Sequence, residues 1–210
     1  MSNKVFGAGN QQGSPDKSRA PSETTRRTPL SDKEIRAYFL GALHDGTFSS
    51  NKRYRICQKS VEWLKILKGL LKNIGYNSWI YKEGKNRNVY ILETLAAFMD
   101  FKFNPLKLKT NKEKMAYIKG FFDAEGGIPK NFRDRFYIQL CQKDKDKIVK
   151  IKNILEDFGI KTGKVHNPSA NKNPYYWRLY VLAESHKDFI RLIGSYHPDK
   201  KKLLDKRMKI

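Results

Sequence analysis

The chain lacks the residues that would frame a zinc cluster, a disulfide scaffold or a membrane span. Its 210 residues hold two cysteines, Cys57 and Cys141, with no CxxC pair and no Cys/His cluster. That argues against a structural zinc site and leaves two reduced thiols inside apolar, strand-like runs. No run approaches the ~18 apolar residues of a membrane helix. No secretory signal opens the chain, so the expected location is intracellular. Acidic residues are also scarce, with 21 Asp and Glu against 43 Lys and Arg, a net charge of +22. Self-repulsion of that size opposes compaction, and a polyanionic partner, nucleic acid, accounts for it. Apolar residues at 39% and aromatics at 12% are too many for a disordered basic tail and enough for a core.

Residues 1–30 are polar, charged and without apolar periodicity, and read as a disordered basic leader. Order is expected from Ser31, where Ser31-Asp32-Lys33-Glu34 fits a capping box. A helix to about Asp45, stopped by Gly46, is followed by two strands around Asn51-Lys52. Ser60 caps a second helix with Val61, Leu64, Leu67, Leu71 and Ile74 on one face. Strands Tyr76–Tyr81 and Val89–Leu92 and a short helix through Leu95 and Phe98 complete the first unit, residues 31–101. Residues 102–110, with Pro105 and alternating lysines, read as a linker.

Residues 111–196 then repeat the pattern. Leu64, Leu67, Leu70, Leu71, Ile74 and Gly75 align with Ile148, Ile151, Ile154, Leu155, Phe158 and Gly159 at an offset of 84. Cys57-Gln58-Lys59 aligns with Cys141-Gln142-Lys143 at the same offset, and Tyr90-Ile91-Leu92 is matched to Tyr180-Val181-Leu182 at 90. The expected fold class is α+β. Two αββαββα repeats, related by a pseudo-twofold axis, form a saddle of antiparallel sheets with one face open. Residues 197–210 form a basic C-terminal segment.

Each repeat opens on a helix with small residues that ends in a carboxylate and glycine. The first is Ala37-Tyr38-Phe39-Leu40-Gly41-Ala42-Leu43-His44-Asp45-Gly46; the second is Tyr117-Ile118-Lys119-Gly120-Phe121-Phe122-Asp123-Ala124-Glu125-Gly126. Close packing of the two would bring Asp45 and Glu125 to one end. Paired carboxylates on so basic a chain suggest a metal site that acts on nucleic acid. Asp123 lies two residues before Glu125 and points elsewhere on a helix.

These motifs resemble those of single-chain, two-motif LAGLIDADG homing endonucleases, over residues 31 to about 205. The second motif follows the family pattern position by position. The first departs from it, since Gly41 precedes its carboxylate by four residues and Gly120 by five. The resemblance implies a monomer that makes a metal-dependent, staggered double-strand break in a long asymmetric DNA target, encoded by a mobile intron. It implies that Asp45 and Glu125 share Mg²⁺, or another divalent ion such as Mn²⁺, and that Gln58 and Gln142 lie near the active site. Lys59 and Lys143 are candidates to position water and phosphate, with Lys130 a weaker one.

DNA contacts are expected on the open strand face and hairpin tips. In the first repeat these are Arg53, Arg55, Tyr81, Lys82, Lys85 and Arg87. In the second they are Arg133, Arg135, Tyr137, Gln139, Lys164, Lys172 and Arg178. Strand alternation puts Arg53 with Arg55, and Tyr137 with Gln139. Two other functions suit the same scaffold, an intron RNA maturase and a non-catalytic DNA-binding regulator. Retention of both carboxylates speaks against the second.

Overall fold

A computed structural model of the chain describes residues 29–208. The expected leader falls largely on residues 1–28, outside the described residues. Helix α1 (Asp32–Ala42) runs into a 3₁₀ turn (Leu43–Asp45) and the hairpin β1 (Gly46–Phe48) and β2 (Tyr54–Gln58). Helix α2 (Val61–Asn73) and strands β3 (Ser78–Lys82) and β4 (Tyr90–Thr94) follow. The second half consists of α3 (Asn111–Glu125), β5 (Gly126–Gly127), β6 (Ile138–Gln142), α4 (Lys145–Asp157), β7 (Trp177–Val181) and α5 (His186–Leu192). Helix α6 (Pro198–Met208) closes the described chain.

The same device starts both motif helices. Ser31 Oγ accepts from the Glu34 amide at 3.4 Å, and the Glu34 carboxylate accepts from the Ser31 amide at 2.9 Å. Thr110 and Glu113 repeat the exchange at 3.1 and 3.2 Å. Each box satisfies amides that a helix start leaves without partners.

The first sheet is antiparallel in the order β1-β2-β4-β3, the second in the order β5-β6-β7. Ile56 and Leu92 lie on the inner face with Leu64, Leu67 and Leu71 of α2. Leu140 and Leu179 do the same with Ile148, Ile151 and Leu155 of α4. Burying each such side chain contributes roughly 1.5–3 kcal/mol. Period-two alternation turns the intervening residues onto the outer face.

Three details differ from the sequence reading. The segment opposite β7 is reduced to two bridges, Thr162↔Val181 and His166↔Arg178. Between them the outer segment advances four residues while β7 advances three, so an extra residue bulges out and breaks the ladder. Second, Gln58 stands opposite Tyr90 and Gln142 opposite Trp177. The equivalents of Tyr90-Ile91-Leu92 are therefore Trp177-Arg178-Leu179, an offset of 87, rather than Tyr180-Val181-Leu182. An odd slip of three would invert the two faces, whereas the observed register keeps both Leu92 and Leu179 fully buried. Third, Leu95–Phe98 is a turn and not a helix. Thr94 Oγ1 accepts from the Ala96 amide at 3.3 Å and donates to the Asn77 carbonyl at 2.8 Å, which holds this stretch against the sheet.

Candidate active site

Helices α1 and α3 lie backbone against backbone. A Cβ added at Gly41 would sit 2.0 Å from the Tyr117 carbonyl oxygen, and one at Gly120 would sit 2.0 Å from that of Tyr38. Only glycine fits at either crossing. In this contact Gly41 answers Gly120 and Tyr38 answers Tyr117, an offset of 79. The strands that follow have a different frame, because Gly46 pairs with Ile56 as Gly126 pairs with Leu140, an offset of 80. The missing residue of the first motif is absorbed between the two frames. Helix α3 stays α-helical to Glu125, whereas Leu43–Asp45 tightens to 3₁₀. Three residues at about 2.0 Å rise cover the ~6 Å of four α-helical residues. Asp45 thus reaches the same level as Glu125, each one residue before its strand.

Both carboxylates are half-buried. Burial, opposed by Lys200 and by the Gln58 hydrogen bond, leaves Asp45 raised to about 6. For Glu125, burial and the nearby charge of Asp45, against Lys200 and Lys143, leave it raised to about 7. The two acids therefore feel each other across the helix pair. Such a site gains from a bound cation. No group of three or more His, Cys, Asp or Glu side chains capable of holding a metal exists among the described residues. Two carboxylate donors without a closed cage suit a hard divalent ion that keeps waters and takes further oxygens from phosphate.

The two glutamines are placed differently. Gln58 donates through Nε2 to Oδ2 of Asp45. Gln142 has no such bond to Glu125 among the described residues; its Nε2 lies 2.8 Å from Nδ1 of His44 while its Oε1 accepts from the Lys143 amide at 2.6 Å. The cause is His44, which occupies the space between the halves and stands over Phe121. Burial and the charge of Lys147 lower its pKa to about 3. The ring is neutral, accepts at Nδ1 and carries its proton on Nε2, 3.1 Å from Tyr117 Oη.

Lys59 is exposed and lines a cavity of about 590 Å³ with Asp45, Gln58, Gly126, Gly127 and Lys130. Lys143 is exposed on the Glu125 side, where its charge is felt. Asp123 is buried away from the site, accepting from Tyr38 Oη at 2.6 Å, from Ser195 Oγ and from the Tyr196 amide at 2.9 Å.

Sequence reasoning placed Lys200 only in the basic C-terminal run, not at the active site. Its Nζ donates to the Phe122 and Asp123 carbonyls at 2.6 and 2.7 Å, at the C-terminal end of α3, where the Phe122 carbonyl also accepts from the Gly126 amide. It lines the cavity holding Asp45. Burial lowers its pKa to about 8 despite the pull of Asp123, Asp45 and Glu125. In the sequence it is one lysine in a basic run; only Pro198, opening α6 two residues earlier, hints at a fixed position.

On the outer face of the first sheet, Thr47, Arg55, Glu93 and Trp79 form one cross-strand row, with Tyr81 and Arg53 beside it. Lys82, by strand alternation, falls on the Ile80 side instead, opposite Tyr90. Lys85 and Arg87 lie at an exposed hairpin tip, where Arg87 pairs with Glu83 at 3.2 Å. In the second half Gln139, Tyr180 and Arg178 share the outer face, and the Tyr137 ring meets Tyr180 edge-on. Arg133, Arg135 and Lys172 are exposed on loops, and Lys164 lies within the bulged segment.

A pair of glycine-locked helices presenting one acid each, over two antiparallel sheets, defines a two-motif scaffold that brings two carboxylates to one end. The LAGLIDADG-like domain profile matches residues 32–98 and 112–194, and the chain belongs to that family. It is 25% identical over 200 residues to the homing endonuclease I-ApeI of Aeropyrum pernix, covering 80% of this chain and 84% of that protein. Its fold is similar to I-DmoI in complex with DNA and Mn, with a TM-score of 0.59, 21% identity, and 80% and 99% of the two chains covered. It is also similar to full-length DUF199/WhiA from Thermatoga maritima, with a TM-score of 0.62, 17% identity, and 88% and 64% covered.

Proposed function

We propose that this chain is a site-specific homing endonuclease that makes a divalent-metal-dependent double-strand break in a long, asymmetric DNA target, acting as a monomer inside the cell. The convergence of Asp45 and Glu125 at the end of the helix pair carries the reading. A fold shared with both I-DmoI and DUF199/WhiA does not by itself require cleavage. Two half-buried acids on a chain of charge +22 support it, because a surface that only binds phosphate gains nothing from them. The halves, residues 31–101 and 111–196, joined through 102–110, would each lay one sheet along the duplex. Their different outer faces fit a target without twofold symmetry. Residues 197–210 would complete the site by supplying Lys200.

Asp45 and Glu125 would hold the metal, with Mg²⁺ the proposed ion. A bound divalent ion would lower the pKa of water and neutralise charge at phosphorus. Gln58 orients the Asp45 carboxylate. Lys200 offers the N–H that its two carbonyl partners leave, near Asp45, as a charge for the scissile phosphate. Lys59 and Lys130 reach the same cavity, and Lys143 the Glu125 side. On the other strand, Gln142 acts through His44 rather than on the acid. The resemblance supports a staggered cut with short 3′ overhangs.

The test is Mg²⁺-dependent cleavage of a randomised duplex library by the full chain, beside Asp45→Asn and Glu125→Gln. Enrichment of one long asymmetric site, lost in both variants while binding persists, is the expected result. Specific binding without cleavage by the parent chain would leave a DNA-binding protein and overturn the endonuclease reading.

A further inference from the structure

The outer face of the first sheet carries a buried carboxylate where a phosphate-binding surface has least use for one. Glu93 is 8% exposed and lies at the centre of three donors. It accepts from Arg53 Nη1 at 3.0 Å and from Tyr81 Oη at 2.7 Å, and its Oε1 is 3.1 Å from Arg55 Nε. The two arginines are held differently. Arg55 Nη2 also reaches Tyr81 Oη and Glu83 Oε1, each at 3.4 Å, so two of its three nitrogens face groups on the sheet. Arg53 gives one terminal nitrogen to Glu93 and rests on the Trp79 ring, 5.2 Å from the centroid. Its other terminal nitrogen has no protein partner among the described residues, and its side chain is the more exposed of the two, 40% against 26%.

We propose that Arg53 is a specificity-determining residue that reads guanine in the major groove, and that Glu93 and Trp79 are the positioning residues that fix its plane. The inference rests on the endonuclease reading. Guanine presents two acceptors, O6 and N7, on its major-groove edge, and a planar guanidinium matches both. A free arginine loses much side-chain entropy on forming that pair; one already held by a carboxylate and an indole face loses less. Arg55 is the strut that completes the clamp, with two of its three nitrogens already engaged. Glu93 serves a second purpose, since its charge disfavours an acceptor-rich base edge that leaves Arg53 unpaired.

The experiment selects preferred sites from a randomised duplex library with the full chain, then compares Arg53→Lys and Glu93→Gln with it. Lysine keeps the charge and loses the fork; glutamine keeps the shape and loses the charge. Arg53→Lys is expected to lower guanine preference at least tenfold at one or two adjacent positions in one arm of the target. Glu93→Gln lowers it at the same positions and leaves the other arm unchanged. A uniform change in affinity, with guanine still selected, would show both residues to be general charge and overturn the proposal. Thermal unfolding of each variant separates loss of reading from loss of fold. A parent chain that selects no sequence overturns the underlying reading instead.

Discussion

Tyr117 Oη lies 3.1 Å from Nε2 of His44, and that contact is a symmetry copy of another. In the frame of the helix pair, Tyr38 answers Tyr117 and His44 answers Asp123, and Tyr38 Oη donates to Asp123 at 2.6 Å. One position thus carries a carboxylate in one half and a neutral imidazole in the other. The carboxylate fastens Ser195 and Tyr196, and so sets where α6 begins and where Lys200 stands. The imidazole takes the Gln142 amide as its partner. The asymmetry of the two half-sites follows from this one exchange.

Asp123→Ala is expected to destabilise the fold by about 3 kcal/mol. Three donors, one buried and two part-buried, lose their acceptor, each at about 1–3 kcal/mol, and relief of the carboxylate's own desolvation offsets part of that. Urea unfolding measures it. The same variant should also lose cleavage, because the segment bearing Lys200 is no longer fixed. An unchanged urea midpoint would show that Asp123 anchors nothing.

Gly41→Ala and Gly120→Ala should each cost at least about 3 kcal/mol, since the new methyl meets main-chain atoms that cannot rotate away. Gly69, inside α2, has nothing within 4 Å of its Cβ direction. Gly69→Ala should therefore stabilise by up to about 1 kcal/mol through helix propensity. Denaturant unfolding of the three variants tests the crossing directly. A mild effect at Gly41 would mean that the helices have room to part.

These cases show what was legible in the sequence. The helix starts, the repeat and both acids were, because capping boxes, apolar periodicity and acid–glycine ends are local signals. The 3₁₀ turn that rescues the short motif was not, since it answers a register mismatch between helix and strand that exists only after folding. Tyr90 was matched three residues away from its true counterpart because apolar strands look alike, and only the pairing of Gln142 with Trp177 settles it. Lys200 was hidden for a related reason. Its neighbours Lys201 and Lys202 are the same residue, and burial against the end of α3 alone distinguishes it.

Lys200→Met should lower cleavage by about 100- to 1000-fold, the range for removing one positioned donor. It should also raise the pH needed for activity. Lys200 holds Asp45 and Glu125 toward their ionised forms, so its loss moves both further up. A pH–rate profile of the variant beside the parent reads that shift. Equal profiles with reduced rate would assign Lys200 a purely structural part.

The last prediction concerns stability without metal. Asp45 goes from an ordinary 3.8 to about 6 on folding and Glu125 from 4.5 to about 7. Between about pH 4 and pH 7 the folded chain therefore binds more protons at these two groups than the unfolded chain. Their contribution makes stability fall as pH rises through that window. A divalent ion reverses the sign of the demand, because it binds the ionised carboxylates and releases their protons. Chelator-treated protein should lose thermal stability from pH 4.5 to 7.5 relative to the Asp45→Asn/Glu125→Gln double variant, whose two amides do not titrate. Added Mg²⁺ should restore it in the parent alone, and more strongly at pH 7.5 than at 5. If Mg²⁺ stabilised parent and double variant equally, the ion would be binding elsewhere, and the two acids would lose their role as its ligands.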